Sequence, residues 1–364
     1  MAVAAAMAAL AFAPSAPAAP KKAPAKKPAV RKAAPKPAAK PVAKPVVKPA
    51  ANPGGPIVLG TKQLPGDFGQ VGITYTIGQL DPTNFTLLSA EYHADRFVVS
   101  DNAWGLDAGE KVLVLNYTVQ NPTKDDQECY WGSLRFTAVD SRDVNHTDIQ
   151  TVIRTGDPSD SINLSLKPAQ KLNLTTAIVV PANGVIPKLI VSREEEAAVI
   201  RYDLRGKVKP IPAPFADPAD PTGATARKEV PAVAGAIHPI GLFDARLEET
   251  GYTTQTLNDT EPEEGHRFFT AIFTIKNTTQ TERAYYWGTF EPMLRDADGE
   301  KVDYNQTMLK ASRDEAASGD LAPGEEARVR FFFSMPEGVA AKSVSLKESD
   351  SRSVVFDVPA TPGS

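Results

Sequence analysis

Short runs in which apolar and polar residues alternate are the main pattern of this chain. Every second residue from Leu113 to Val119 is large and apolar, and Arg328–Phe333 alternates in the same way. Alternation with a period of two predicts a β-strand with one buried face. Such runs recur about every 8–12 residues with turn residues between them, and there is no long helical period. The pattern therefore predicts an all-β chain, and the short connections favour β-sandwiches over barrels.

The chain also repeats itself. Asn116–Asn121 is followed by Tyr130–Gly132, and the same order returns as Ile272–Asn277 followed by Tyr286–Gly288. Both blocks are displaced by 156 positions, as from 121 to 277. A repeat of this length predicts two copies of one domain, each long enough to bury a core of its own.

The order of these motifs resembles that of a known bacterial family. Gly72–Gly78 is followed by Phe85–Tyr92, by the strand that ends at Asn121, and by a Leu-x-Pro-(Gly/Ala) turn before the run ending at Pro181 or Pro336. This is similar to exported immunoglobulin-like domains of unknown function, which occur in lipoproteins and surface proteins. Their fold is shared with the mycobacterial immunoprotective extracellular antigen.

The resemblance covers residues 66–204 and 237–358 and rests on short structural motifs. It implies two tandem immunoglobulin-like β-sandwiches in an exported protein, and it implies no catalytic residues. The chain differs from many members in carrying two copies, and in having a basic arm instead of a lipidated cysteine. The predicted organisation is a signal peptide at 1–19, a disordered basic Pro/Ala/Lys-rich arm at 20–56, immunoglobulin-like domain 1 at 57–204, a Pro-rich linker at 205–235, immunoglobulin-like domain 2 at 236–358 and a tail at 359–364.

Two turns are expected to differ between the copies. Pro323-Gly324 suits a type II turn, whereas Ala169 in the equivalent Pro168-Ala169 disfavours the positive φ of that turn and predicts type I. The opening hairpin at Gly72 has no clear counterpart before Ile240.

Charge is distributed unevenly along the chain. Residues 21–50 contain ten basic residues and no acidic one, and removing these ten from the chain's 40 leaves 30 basic against 44 acidic residues, a net charge of −14. The arm is open to three interpretations: a spacer, a ligand for anionic polymers of the cell envelope, or a nucleic-acid-binding tail. The third needs the protein to stay inside the cell, and the arm lacks aromatics that would stack on bases. The possible polyanion contacts are Lys21, Lys22, Lys26, Lys27, Arg31, Lys32, Lys36, Lys40, Lys44 and Lys48.

The first 13 residues form an apolar run of the length found in secretory signals. Ala11–Ala13 and Ala16–Ala18 both have the small-x-small form of a cleavage site. We therefore expect export, to an extracellular, periplasmic or envelope-associated location. No later apolar run is long enough to span a membrane.

Motifs for catalysis or cofactor binding are missing from the sequence. It has no nucleophile elbow, no phosphate-binding or dinucleotide-binding glycine loop and no zinc-protease motif. The four histidines are scattered and Cys129 is the only cysteine, which we expect to be a small buried residue. Asp296–Gly299 predicts a hairpin turn rather than a calcium loop. We therefore expect no enzyme, no cofactor and no metal.

Aromatic residues are the remaining candidates for a site. Trp131 and Trp287 could stack on a ligand, but their identical neighbours in the two copies favour core or inter-sheet packing. Trp104 lies in a loop found only in the first copy and is the candidate for an exposed contact. Asn121 and Asn277 end their strands and are expected to bond to local backbone.

These observations predict an exported, non-enzymatic protein that binds, adheres or supports structure at the cell envelope, with a cationic stalk. The alternative is an intracellular nucleic-acid-associated protein that uses the basic arm. The partner and the oligomeric state are left open.

Overall fold

The computed structural model describes residues 67–99, 102–193 and 199–359 of the 364. The predicted signal peptide and the basic arm, with its ten lysines and arginines, lie outside the described residues. The predicted all-β fold is confirmed: within the described ranges the only helical element is a single 3-10 turn, Trp131–Ser133. No helix among the described residues is long and apolar enough to cross a membrane.

The first sandwich is built from two main sheets. Its strands are β1 (Thr74–Ile77), β2 (Thr83–His93), β3 (Arg96–Val99), β4 (Asn102–Gly105), β5 (Glu110–Gln120), β6 (Gln127–Tyr130), β7 (Arg135–Val139), β8 (Asn145–Thr147), β9 (Ile153–Arg154), β10 (Asp157–Ser161), β11 (Asn163–Leu166), β12 (Lys171–Pro181), β13 (Lys188–Ser192), β14 (Ile200–Asp203) and β15 (Val208–Lys209). One sheet has the order β1-β2-β5-β12-β9-β10, with β15 added parallel to β2, and the other has the order β14-β13-β7-β8. Two smaller pairs, β6 with β11 and β3 with β4, flank them.

The second sandwich follows the same plan. Its strands are β16 (Glu229–Ala232), β17 (His238–Ile240), β18 (Phe243–Thr253), β19 (His266–Asn277), β20 (Arg283–Tyr285), β21 (Phe290–Asp296), β22 (Lys301–Val302), β23 (Tyr304–Lys310), β24 (Gly319–Leu321), β25 (Glu326–Pro336), β26 (Ala341–Glu348) and β27 (Ser353–Asp357). The sheets have the orders β17-β18-β19-β25-β23 and β16-β27-β26-β21-β22, and β20 pairs with β24. The predicted turn between β21 and β22 is confirmed, because Gly299 has φ 88° and its N–H donates to the carbonyl of Asp296 at 3.0 Å.

Each sandwich has its own apolar core between its two sheets. In the first, the Tyr117 ring of β5 lies 5.4 Å from Phe85 and 5.0 Å from Phe136 of the opposite sheet. In the second, Phe273 of β19 lies 5.7 Å from Phe356 of the opposite sheet. The alternation in the sequence places these rings in the core, because successive side chains of a strand point to opposite faces of the sheet.

Each sandwich contains the same clamp, which links its own two sheets at one end. The N–H of Ile186 donates to the Tyr92 hydroxyl at 2.8 Å, and the N–H of Ala341 donates to the Tyr252 hydroxyl at the same distance. The cation of Lys111 lies 4.3 Å from the Tyr92 ring, and in the second sandwich Arg267 lies 3.8 Å from the Tyr252 ring. The clamp is therefore kept although its cation has changed from lysine to arginine.

The opening hairpin has a counterpart in the second sandwich, so the expectation that it has none is wrong. Gly72 has φ 82° and donates to the carbonyl of Leu87, and Gly235 has the same φ and donates to the carbonyl of Leu247, both at 2.8 Å. The displacement is 163 residues here rather than 156. Because the displacement differs here, a comparison of the two copies at the fixed displacement of 156 residues misses this match.

The proline-rich segment 205–235, expected to be a linker, contributes to both sandwiches. Its strand β15 pairs with β2, and Ile211, Ala224 and Ala226 are buried in the first core. Its strand β16 pairs parallel with β27, and Val230 is buried in the second core. The segment is thus part of the fold on both sides.

The sandwiches meet at a polar junction. The hairpin of β3 and β4 lies between β2 and β5, where the second sandwich has only the loop between β18 and β19. From this hairpin Arg96 donates to the carbonyls of Gly241 and Phe243 at 3.2 and 3.0 Å and pairs with Asp244 at 2.5 Å.

Arg352 closes the junction from the other side. It lies before β27 and is only 4% exposed. It donates to the carbonyls of Arg227 at 2.9 Å, Ala94 at 2.8 Å and Asp107 at 3.3 Å, and also to that of Glu110. Burial lowers the pKa of the guanidinium to about 10. One cation thus joins the second sandwich to three backbone carbonyls of the first.

The turn at Ala169 is type II, so the prediction of type I is wrong. Ala169 has φ 63° and Gly324 has φ 77°. The N–H of Ala169 donates to the backbone carbonyl of Asn121, and the N–H of Gly324 donates to that of Asn277, both at 2.9 Å. These bonds hold the backbone in the left-handed region although Ala169 carries a Cβ.

We expect Ala169→Gly to raise the free energy of unfolding by about 1 kcal/mol, because glycine removes the steric penalty of positive φ. Gly324→Ala is the matched control and should lower it by a similar amount. Urea unfolding measures both changes in the free energy of unfolding, provided that its dependence on urea concentration (the m-value) is the same for all variants. A loss of stability in Ala169→Gly would contradict the assignment of this turn.

Candidate functional site: the exposed tyrosine–tryptophan corners

The Tyr-Trp-Gly motif forms a corner at the same place in both sandwiches. In the first, β6 ends at Tyr130 and the chain turns at Trp131–Ser133 before β7 begins. The N–H of Tyr130 donates to the Ser133 hydroxyl at 3.0 Å, and that of Tyr286 donates to the Thr289 hydroxyl at 3.2 Å. We call Tyr130 with Trp131, and Tyr286 with Trp287, the two corners.

The glycine of each motif is required by the tyrosine ring. A Cβ at Gly132 would lie 2.5 Å from Cε2 of Tyr130, and a Cβ at Gly288 would lie 2.7 Å from Cε2 of Tyr286. Both distances are shorter than any normal carbon contact. The ring therefore folds over the glycine, which fixes its orientation.

The tryptophans point outward, so the prediction that Trp131 and Trp287 are core residues is wrong. They are 45% and 51% exposed, and Tyr130 and Tyr286 are 38% and 50% exposed. The strand alternation stops at the turn, and the indole follows the turn instead of the sandwich interior. The identity of this motif between the copies therefore marks a shared exposed surface and not shared packing.

The two corners have nearly the same ring geometry. The centroids of Tyr130 and Trp131 are 6.1 Å apart with an interplanar angle of 87°. Those of Tyr286 and Trp287 are 6.4 Å apart at 88°. The perpendicular arrangement is a favoured aromatic contact, and it stiffens each pair at the surface.

A buried asparagine begins the loop before β6 in the first sandwich, and the prediction of a turn residue that bonds to local backbone is confirmed. Asn121 is 0% exposed, and its amide donates to the carbonyls of Asp125 at 2.7 Å and Leu166 at 2.9 Å. Its side-chain oxygen accepts from the N–H and hydroxyl of Thr123 at 2.9 and 2.7 Å. Since Leu166 ends β11, the partner of β6, the asparagine ties the strand that leads into the corner to β5.

Asn277 makes the same four bonds in the second sandwich. It donates to the carbonyls of Thr281 at 2.7 Å and Leu321 at 2.8 Å, and it accepts from the N–H and hydroxyl of Thr279, both at 2.9 Å. The recurrent asparagines therefore hold the same loop in both sandwiches.

A small cavity lies behind the first corner. It has a volume of about 10 Å³ and is lined in part by Tyr117, Gln127, Cys129 and Tyr130. That is room for about one water molecule. Cys129 is buried as expected, and burial raises the pKa of its thiol to about 11, so the thiolate form is disfavoured.

The corners offer aromatic contact surface. Across residues 67–99, 102–193 and 199–359, no group of three His, Cys, Asp or Glu side chains could hold a metal ion. Polar side chains near the first corner include exposed Glu128 and half-buried Arg193, which donates to the carbonyl of Ser133 at 3.3 Å. An exposed, rigid tyrosine and tryptophan are residues that dominate binding energy when a partner covers them.

Trp104 is not the exposed contact that the sequence predicts. It lies on β4, is half-buried, and its ring is 6.4 Å from that of Phe97 across the hairpin. Phe97 in turn packs on a small cluster formed by Leu106, Val112 and Ala177. The indole thus helps to seat the hairpin that reaches the second sandwich.

Because the corner tryptophans are exposed, we expect Trp131→Ala and Trp287→Ala each to lower the free energy of unfolding by less than about 1 kcal/mol. Phe136→Ala, which removes a fully buried ring, is the control and should cost about 3–5 kcal/mol. Chemical denaturation of the three variants checks this. If either tryptophan variant lost 3 kcal/mol or more of its free energy of unfolding, the tryptophans would be core residues after all.

Comparison with known proteins found no matching family model and no matching curated protein. Several solved structures are similar. An uncharacterized β-sandwich protein from Clostridium difficile matches 35% of this chain and 93% of its own, with 16% identity and a TM-score of 0.28. The secreted protein MPT63 from Mycobacterium tuberculosis matches 36% of this chain and 98% of its own, with 12% identity and a TM-score of 0.29. A putative lipoprotein from Bacillus subtilis matches 36% of this chain and 38% of its own, with 12% identity and a TM-score of 0.25. The fold assignment rests on this chain's own strands and cores.

Proposed function

We propose that this chain is an exported, non-enzymatic protein of the cell envelope that binds its partner through the two exposed corners. The observation that carries the proposal is the recurrence of one exposed Tyr–Trp geometry in both sandwiches. Large aromatics at a surface expose apolar area to water, and covering them with a partner recovers that free energy. Each of these side chains has only two χ torsions, and the ring contact within the corner restrains them, so little conformational entropy is lost on binding.

The basic arm adds a second mode of binding in this proposal. Its ten cations suit an anionic polymer, and counterion release makes such binding weaken steeply with salt. Contacts made by the corners are apolar and should change little with salt. The two modes can therefore be separated by ionic strength.

The test uses isolated cell envelopes and three forms of the mature protein: unchanged, lacking residues 20–56, and Trp131→Ala with Trp287→Ala. We expect deletion of the arm to remove the salt-sensitive part of binding, and the double substitution to remove the part that persists at high salt. Leu80→Ala, at a side chain that is 87% exposed but outside the corners, is the control and should bind like the unchanged protein.

Two results would contradict the proposal. Full salt-resistant binding by the double tryptophan variant would place recognition elsewhere on the sandwiches. Binding to DNA through the arm, with no binding to envelopes by any form, would favour the intracellular nucleic-acid alternative.

A further inference from the structure

We infer that the two corners act together on one ligand that repeats along its length, and that this ligand is an uncharged glycan polymer. The inference rests on the proposed function and adds the ligand class and the mode of binding to it. Three independent features lead to it: the constancy of the corners, the rigidity of the junction, and the charge of the chain outside the arm.

The corners are constant where other exposed positions have changed. On the outer face of β12, the side-chain oxygen of exposed Asn173 accepts from the hydroxyl of Thr118 at 2.9 Å, and buried Thr175 donates to the side-chain oxygen of Asn116. The equivalent strand β25 has Arg328 and Arg330 at these places, paired with Glu248 at 2.6 Å and Asp314 at 3.3 Å. An exposed neutral side chain, Asn173, has thus become an exposed charged one, Arg328, between the copies. The exposed Tyr–Trp pairs have kept both residues and their geometry.

The junction holds the corners at a fixed separation. Arg352 and Arg96 make contacts in both directions across it, and backbone of the two sandwiches pairs directly, with the N–H of Ala108 donating to the carbonyl of Asp350 at 2.9 Å. Two equal sites on a rigid body gain affinity for a ligand that presents equal units at matching intervals. They gain nothing from a ligand with a single unit.

The chemistry of the corners selects an uncharged polymer. Without the ten basic residues of the arm the chain carries −14, so the sandwiches repel polyanions. The π face of an indole is the negative side of its quadrupole, and it attracts the weakly positive C–H bonds on the flat face of a sugar ring. A polymer of neutral β-linked sugars offers such faces at regular intervals and hydroxyls to the surrounding water.

The probes are insoluble particles of three neutral β-linked polymers, namely chitin, cellulose and β-1,3-glucan, together with the disaccharide of each. Binding is measured at high salt, which suppresses the arm, with the full mature chain as reference. We expect a polymer of this panel to bind at least about 10-fold more tightly than its disaccharide. Trp131→Ala and Trp287→Ala should each remove most of that gain, while the disaccharide still binds at the remaining corner.

A junction variant separates avidity from the corners themselves. Arg96→Ala removes one ion pair and two hydrogen bonds to the second sandwich and leaves both corners intact. It should lower affinity for the polymer and leave the disaccharide unaffected. Leu80→Ala should change neither.

Two outcomes would overturn the inference and leave the proposed function standing. One is binding of envelopes through the corners with no binding to any polymer of the panel. The other is equal affinity for polymer and disaccharide, with each single variant halving the number of sites at an unchanged Kd. Failure of the proposed function would instead appear as tryptophan-independent binding to envelopes.

Discussion

Asn121→Ala is expected to lower the free energy of unfolding of the first sandwich by about 3–5 kcal/mol. The substitution removes four hydrogen bonds of a fully buried side chain and leaves the carbonyl of Leu166 without that donor. The carbonyl of Leu166, orphaned in a buried place, costs about 1–3 kcal/mol, and the three part-buried bonds to Asp125 and Thr123 contribute about 0.5–1 kcal/mol each. Urea unfolding followed by circular dichroism measures the loss. Asn277→Ala should behave alike in the second sandwich, since its bonds are the same.

Two further variants make this prediction specific. Asn121→Asp keeps the shape and the acceptor for Thr123 but loses the amide donors, so it should also destabilise strongly. Asn145→Ala, at an exposed position of β8, should change stability by less than about 0.5 kcal/mol. A loss below 1 kcal/mol for Asn121→Ala would show that the loop under the corner does not depend on it.

Arg352→Leu should cost about 3–5 kcal/mol and weaken the coupling between the sandwiches. Leucine leaves four carbonyls without their donor, three of them in the first sandwich at Ala94, Asp107 and Glu110. We expect the unfolding transitions of the two sandwiches, followed separately by protease protection, to move apart in denaturant. Arg313→Leu is the matched control, because its side chain is 61% exposed and its ion pair with Glu315 contributes little. Transitions that stay together in Arg352→Leu would mean that the junction does not depend on this residue.

The strands were predictable because their signal is local. The period of two along β5 and β25 depends only on neighbouring residues, and the same residues prove to be buried. The supports of the turns were also predictable, since an asparagine that ends a strand before a loop commonly bonds to backbone nearby. The structure confirms this for Asn121 and Asn277.

The junction was not predictable, because its partners are far apart in sequence. Arg352 and Ala94 are separated by 258 positions, and nothing near either residue indicates the other. In the sequence, the segment of β3 and β4 has the features of an ordinary loop. Only the structure shows that its Arg96 pairs with Asp244. A hydrogen bond to a backbone carbonyl does not depend on which side chain the accepting residue carries. Such long-range bonds therefore leave no pattern in the sequence.

The corners were misjudged for a different reason. The core prediction for Trp131 rested on identical neighbours in the two copies, but its exposure depends on where β6 ends, and the alternation does not specify that point. The one local signal was the glycine that follows in both copies. A glycine kept beside a tyrosine can indicate a ring folded over the backbone, as at Gly132 and Gly288.

The most direct test of the account is whether a ligand covers the corner tryptophans. Two of the chain's three tryptophans are Trp131 and Trp287, and both are about half exposed, so acrylamide should quench much of the fluorescence of the free protein. Fluorescence is recorded as isolated envelope material is added at high salt. The account predicts a shift of the emission to shorter wavelength and a loss of quenching, both of which persist when residues 20–56 are deleted and disappear in the variant with Trp131→Ala and Trp287→Ala. Bound protein whose emission and quenching are unchanged would contradict it.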